Sequence, residues 1–218
     1  MTGAAASRGR IDKRQAILDA AFAVFARHGY EGACVQRIAR EAGVAKPTVY
    51  SHLTDKENLF RHTVLAAADA VMADHLAVMD RLRAPGADLR AALEDTAYRL
   101  LLICGGERAR ALLRLTYAQV TGFPELTDAV QDRTGSRLTE ALADRLARLS
   151  LAGRLRPCDP AVAAEQLLAL LTAPVEARTR LGTREVPAAE TRAVAKAAVD
   201  TFLRAYGPEP GGPAAPVA

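Results

Sequence analysis

Residues Val35–Leu53 read VQRIAREAGVAKPTVYSHL. Val35, Ile38, Ala39 and Ala42 form a short apolar stripe, Gly43 follows, Val44 sits in a turn, and Val49 and Leu53 face back from the next segment. Ala39 is small where two helices must cross closely. Gly43, four residues on, suits a left-handed helix end, where glycine is least strained. Val49, six residues further, returns an apolar side chain to the same core. This is the spacing of a helix-turn-helix, whose second helix can lie in a DNA major groove. A helical hairpin of any all-α protein fits the spacing alone equally well.

Outward from this stretch the pattern stays helical. Ile17, Ala21 and Phe25 recur at i, i+4 and i+8, and Leu18 and Phe22 widen that face. No strand-like alternation persists. Gly and Pro punctuation cuts the chain into about nine helices, near 11–28, 35–42, 46–52, 55–81, 88–104, 107–121, 124–151, 160–181 and 188–206. Asp159-Pro160 reads as an N-cap followed by a first-turn proline, and Pro124 and Pro187 suit first turns with Glu125 and Glu190 nearby. Thr54-Asp55-Lys56-Glu57 reads as a capping box whose free N–H groups can face a phosphate. Pro174 predicts a kink or break. The organisation is thus all-α: a flexible arm (1–10), a helix-turn-helix domain (11–57), a larger helical domain (58–206) and a disordered tail (207–218).

Composition narrows the function. Half of the 218 residues are apolar, aromatics are 5%, and Trp is absent. Residues 1–60 hold 9 Lys/Arg against 6 Asp/Glu, most of the net charge of +4, which suits a polyanionic partner. Cys34, Cys104 and Cys158 are scattered and odd in number, which argues against a disulfide framework or zinc site. His28, His52, His62 and His75 show no close ligand pairing, so neither metal nor cofactor is expected. The start MTGAAASRGR lacks a signal-peptide core, and no run of eighteen apolar residues occurs, so a cytoplasmic protein without a membrane span is expected.

The run KRQAILDAAFAVFARHGYEGACVQRIAREAGVAKPTVYSHLTDKENLF, through Ile17-Leu18-Asp19-Ala20-Ala21, Gly29-Tyr30, Ala42-Gly43-Val44, Thr48-Val49-Tyr50 and Leu59-Phe60, resembles the N-terminal domain of the tetracycline-repressor (TetR) family. FPEL (123–126) and GRLRPCDPAVAAEQLLALL (153–171) resemble the AefR-type C-terminal group. The resemblance implies a transcriptional regulator, most often a repressor, that leaves a palindromic double-stranded DNA operator when a small-molecule effector binds. It places Lys46, Pro47, Thr48, Tyr50 and His52 on the recognition helix, Gln36 at a base-contacting position, and Tyr50, His52 and Lys56 at phosphate contacts. Lys46 and Lys56 bring charge, and Pro47 and Thr48 bring apolar surface for a thymine methyl. Cys34 and Ala45 stand where the family usually has capping Ser or Thr, and Leu53 replaces the usual Phe.

A catalytic reading of Lys46, Tyr50, Ser51 and His52 is disfavoured. Tyr50 and Ser51 point about 100° apart on a helix, and no local carboxylate orients His52. A cysteine-based redox-sensing regulator remains an alternative, as does a helical carrier or enzyme of the same fold that binds no DNA. One recognition helix gives little affinity, so a homodimer is expected. Its interface is sought on the apolar last two helices, at Leu167, Leu168, Leu171, Val175, Val194, Ala198, Phe202 and Ala205, the alternative being a bundle within one chain. The resemblance places an effector pocket in the C-terminal domain, with Met72, His75, Met79, Tyr98, Leu102, Tyr117 and Phe123 as candidate walls. Their apolar character points to a lipophilic or aromatic effector.

Overall fold

The computed structural model describes residues 3–83, 86–180 and 182–208. Every regular element among them is helical: α1 (Gly3–Gly32), α2 (Val35–Glu41), α3 (Lys46–His52), α4 (Lys56–Met79), a 3₁₀ turn (Asp80–Arg83), α5 (Leu89–Gly105), α6 (Glu107–Ala118), α7 (Pro124–Gln131), a π turn (Asp132–Ser136), α8 (Arg137–Leu151), α9 (Pro160–Thr179) and α10 (Ala188–Tyr206). The single helix expected over 124–151 is α7, the π turn and α8 in unbroken succession. The expected flexible arm is instead helical from Gly3, and residues 1, 2 and 209–218 lie outside the described residues. The expected end of the first helix near residue 28 falls at a kink, where Gly29 takes φ 68° and ψ 177°.

The chain divides into two compact units. One holds the residues up to Ala70 together with Ala111–Val130; the other holds Val71–Arg110 and everything from Gln131 on. This grouping departs from the border at 57/58 drawn from sequence. α4 runs on thirteen residues past that border before the change of unit, and a distant segment joins the helix-turn-helix.

In the first unit, Ile17, Ala21, Val24 and Phe25 of α1 are buried with Ile38 and Ala39 of α2, Val49 of α3 and Leu53. α2 packs on both α1 and α3. Fully burying side chains of this size contributes roughly 1.5–3 kcal/mol each, which offsets the poor intrinsic stability of two seven-residue helices.

In the second unit, α10 packs on α5 and α9, and α9 packs on α8 and α5. This packing covers within the chain most of the side chains at which an interface was expected from sequence. Leu167, Leu171, Val175, Val194, Ala198 and Phe202 are buried within the chain, and Leu168 and Ala205 are half-buried. The most apolar stripes of α9 and α10 therefore serve the protomer's own core. The outward side of α9 carries Val162, Ala169, Leu170, Ala173 and Ala177 instead. No break occurs at Pro174: α9 runs through it to Thr179. The carbonyl that proline leaves without an amide is that of Leu170, on the exposed side where water can pair with it. Asp159 caps α9 as expected, its Oδ1 accepting from Ala161 N at 2.9 Å. In the α9–α10 link, Gly182 has φ +78°, and a Cβ there would stand 2.9 Å from the Arg110 carbonyl oxygen.

Candidate nucleic-acid interface

The turn between α2 and α3 is built by its backbone. Val44 N donates to Ala39 O at 3.0 Å and Gly43 N to Arg40 O at 3.2 Å, the paired bonds of a Schellman helix end. Gly43 has φ +65°, and a Cβ there would meet nothing within 4 Å, so conformation rather than space requires glycine. Ala45 is extended (φ −72°, ψ 146°) and α3 starts at Lys46 without a side-chain cap; Cys34 leaves α2 equally uncapped. Pro47 occupies the second helical position, where no N–H is needed. Buried Val49 then anchors α3, and Leu53 N closes it on Val49 O at 2.9 Å.

With Val49 turned inward, the rest of α3 faces out. Lys46, Pro47, Tyr50 and Ser51 are exposed, Thr48 and His52 are half-buried, and Gln36 is exposed on α2. The Lys46 ammonium lies 5.7 Å from the Tyr50 ring centroid. Ser51 Oγ donates to Thr48 O at 2.8 Å, so its proton is spent on the helix itself. Tyr50 is 39% exposed, an aromatic ring offered to solvent on a polar helix face. Lys56 has a structural role that sequence did not disclose. Its Nζ donates to Glu31 O at 3.2 Å and sits 4.7 Å from the Tyr30 ring centroid, tying the start of α4 to the end of α1.

The capping box expected at Thr54 does not form. α4 starts at Lys56, and Asp55 caps it, its Oδ1 accepting from Asn58 N at 2.7 Å. Thr54 Oγ1 donates to Asp55 Oδ2 at 3.3 Å. Asp55 stands one residue nearer the helix than Thr54, and a carboxylate suits the positive end of the helix dipole. One of the N–H groups expected to face a phosphate is therefore already bonded.

The candidate effector walls fall in two places. Met72, His75, Met79, Tyr98 and Leu102 belong to the second unit, and Tyr117 and Phe123 to the first. Met72, His75 and Met79 are buried, whereas Leu102 and Tyr117 are 44% and 48% exposed. Tyr98 is covered by the Arg192 guanidinium, 4.1 Å from its ring centroid. His75 Nε2 lies 3.6 Å from Cys104 Sγ, and its Nδ1 is buried without a partner. Burial lowers the His75 pKa to about 4, against the weaker opposing pull of Asp74. Burial likewise pushes the Cys104 thiol up to about 11. That is the wrong direction for a reactive thiolate, which removes support from redox sensing at this cysteine.

Phe123 is not a free wall. Its ring lies 5.2 Å from that of Tyr30 and 5.4 Å from that of Phe60, in a cluster that Phe25 completes. The Arg61 guanidinium covers it at 4.9 Å and pairs with Glu57 on α4 and Glu125 on α7.

Comparison with known proteins agrees with this geometry. Residues 17–63 match the family model of bacterial regulatory proteins, tetR family, and residues 91–208 match that of the AefR-like transcriptional repressor C-terminal domain. The HTH-type transcriptional repressor AcnR of Corynebacterium efficiens is 35% identical over 149 residues, 67% of this chain and 70% of that protein. The match to AcnR of Corynebacterium diphtheriae is 47% identical but spans 58 residues, 27% of this chain and 30% of that protein. Among solved structures, a TetR-family transcriptional regulator from Mesorhizobium loti superposes with TM-score 0.84 at 32% identity, covering 91% of this chain and 98% of that one. The flavonoid-responsive regulator FrrA superposes with TM-score 0.70 at 26% identity, covering 91% and 99%. No helix among the described residues is long and apolar enough to cross a membrane.

Proposed function

The chain belongs to the TetR family of bacterial regulatory proteins, and from that premise we propose that it is a homodimeric repressor released from a palindromic DNA operator by a small-molecule effector. The observation that carries this reading is α3 itself. It is a short helix anchored by Val49 and the Gly43 turn, with Lys46, Pro47 and Tyr50 exposed and Thr48 and His52 half-exposed. In the proposed complex Pro47 and Thr48 meet base edges, with Gln36 reaching in from α2. Lys46, Tyr50, His52 and Lys56 take phosphates, which position the helix without reading sequence.

One such helix makes few contacts, so two heads related by a twofold axis are needed for a specific site. The pairing surface is proposed on the outward side of α9, where Val162 and Leu170 are exposed among alanines. The effector is proposed to be lipophilic or aromatic and to bind in the second unit, beside Met72, His75, Met79, Tyr98 and Leu102. The apolar core there and the flavonoid response of FrrA support that choice. An effector that favours the released state by about 1–3 kcal/mol weakens operator binding 5- to 150-fold.

The test is selection of duplexes from a random library by the full chain, followed by mobility shift. A palindromic duplex bound far above random DNA supports the reading. Equal binding of selected and random duplexes at low salt overturns it.

A further inference from the structure

We infer that the α6–α7 turn, through Phe123 and Glu125, is a positioning element of the DNA-reading head; this rests on the DNA-binding reading above. Phe123 and Glu125 are about ninety residues distant in sequence from Tyr30 and about sixty from Arg61, and none of the residues proposed to touch DNA lies among them. Yet Ala111–Val130 forms one compact unit with the helix-turn-helix. Two different kinds of contact fasten it.

The first is apolar. Phe123 is buried, its ring edge-on to Tyr30 and tilted against Phe60. Tyr30 lies just past the Gly29 kink of α1, and Phe60 lies in the second turn of α4. The ring therefore wedges between the end of one helix and the beginning of another, the two that flank α2 and α3 in the chain. The second contact is polar. Arg61 lies over the Phe123 ring and is held by Glu57 and Glu125 at once, so it covers that ring from the polar side. Glu125 is well placed to accept it. Its carboxyl is held below the usual range first by its own backbone N–H at the start of α7 and then by Arg61.

The turn is also stiff. Phe123 N donates to Gln119 O at 2.8 Å, and Phe123 O accepts from Leu126 N at 3.1 Å and Thr127 N at 3.2 Å. The residue that inserts into the head is thus the one just before α7, its carbonyl bonded into the helix's first turn, and a change in the course of α7 moves the wedge. α3 has no cap and one buried anchor, so small shifts of α1 against α4 reach the reading surface. Energetic coupling between two such sites is reciprocal.

The experiment uses the whole 218-residue chain, the variants Phe123→Leu and Glu125→Gln, and Leu142→Ala as a control that loosens the second unit's core. Amide exchange of Val49 and Leu53 is measured without DNA, and affinity with the best duplex selected by the wild-type chain. Phe123→Leu is expected to speed head exchange and weaken binding about fivefold or more, with the slope of log K against log salt unchanged, since no phosphate contact is lost. Glu125→Gln, at an exposed pair, is expected to weaken binding about two- to fivefold. Duplex binding is in turn expected to slow exchange at Leu126 and Thr127. The inference is overturned if head exchange in Phe123→Leu matches wild type, or if Leu142→Ala speeds it as much. Failure to select any duplex overturns the DNA-binding reading alone, because the exchange comparison needs no DNA.

Discussion

His75 gives the protein a stability that depends on pH in a window where few other groups titrate. The imidazole is 3% exposed and its folded pKa is about 4, against 6.5 for a free histidine, burial being the cause. Between those values the unfolded chain binds a proton that the folded chain refuses. Stability is therefore complete above pH 6.5 and is lost as pH falls towards 4. At about 1.4 kcal/mol per pKa unit, the loss is about 3 kcal/mol across the window and about 2 kcal/mol by pH 5, still above most carboxylate titrations. His75→Leu removes the effect. It also removes a buried Nδ1 that has no partner, so stability at pH 7.5 should be unchanged or higher by about 1 kcal/mol. The assay is urea unfolding at pH 7.5, 6 and 5, at one protomer concentration because assembly contributes to stability. The remaining histidines cancel in the difference between wild type and variant. Parallel curves for the two proteins, or an NMR titration placing His75 near 6.5, would refute the reasoning.

Other consequences can be checked singly. Lys46→Ala should weaken DNA binding alike on all sequences and reduce the salt slope by about 0.9 per lost phosphate contact, twice over in a dimer. Thr48→Ala should change base preference in a selection experiment; equal loss on every sequence would contradict a base-reading role. Ala45→Ser places a hydroxyl at an extended position before an uncapped helix, and should slow exchange in α3 by a stabilisation of about 1 kcal/mol. Gly43→Ala meets no atom but forces alanine into the left-handed region, and should cost about 1–2 kcal/mol in thermal unfolding. Iodoacetamide at pH 8 should label exposed Cys34 first and half-buried Cys104 last, as read by peptide mass spectrometry; labelling of Cys104 first would contradict its raised pKa of about 11.

The helix-turn-helix was legible because it is local. Ala39, Gly43 and Val49 lie within eleven residues, and the conformation that Gly43 adopts follows from its own backbone. The missing caps at Cys34 and Ala45 were equally plain from residue type. The cap of α4 was not, since Thr54 and Asp55 are both good capping residues and only the helix's first turn decides between them. The packing of Phe123 was hidden for a different reason. Its partners Tyr30 and Phe60 are far along the chain, and a buried aromatic looks the same in sequence whether it meets a ligand or another ring. The stripes on α9 and α10 show the same ambiguity. Periodicity tells which residues leave water, but not whether their partner is α5 of the same chain or a second copy.

Gly182 sets a rule for anyone building variant libraries of this chain. A methyl group there would collide with the Arg110 carbonyl oxygen, and that obstacle is backbone, which no rotamer change clears. Site-saturation at this position should thus return glycine alone among well-folded clones. Its neighbours Thr183, Arg184 and Glu185 are exposed and should accept most replacements, even short inserted tags. The permissive stretch of the α9–α10 link thus begins only after Gly182 and ends before the buried Val186, and a fusion or label designed for the link belongs between them.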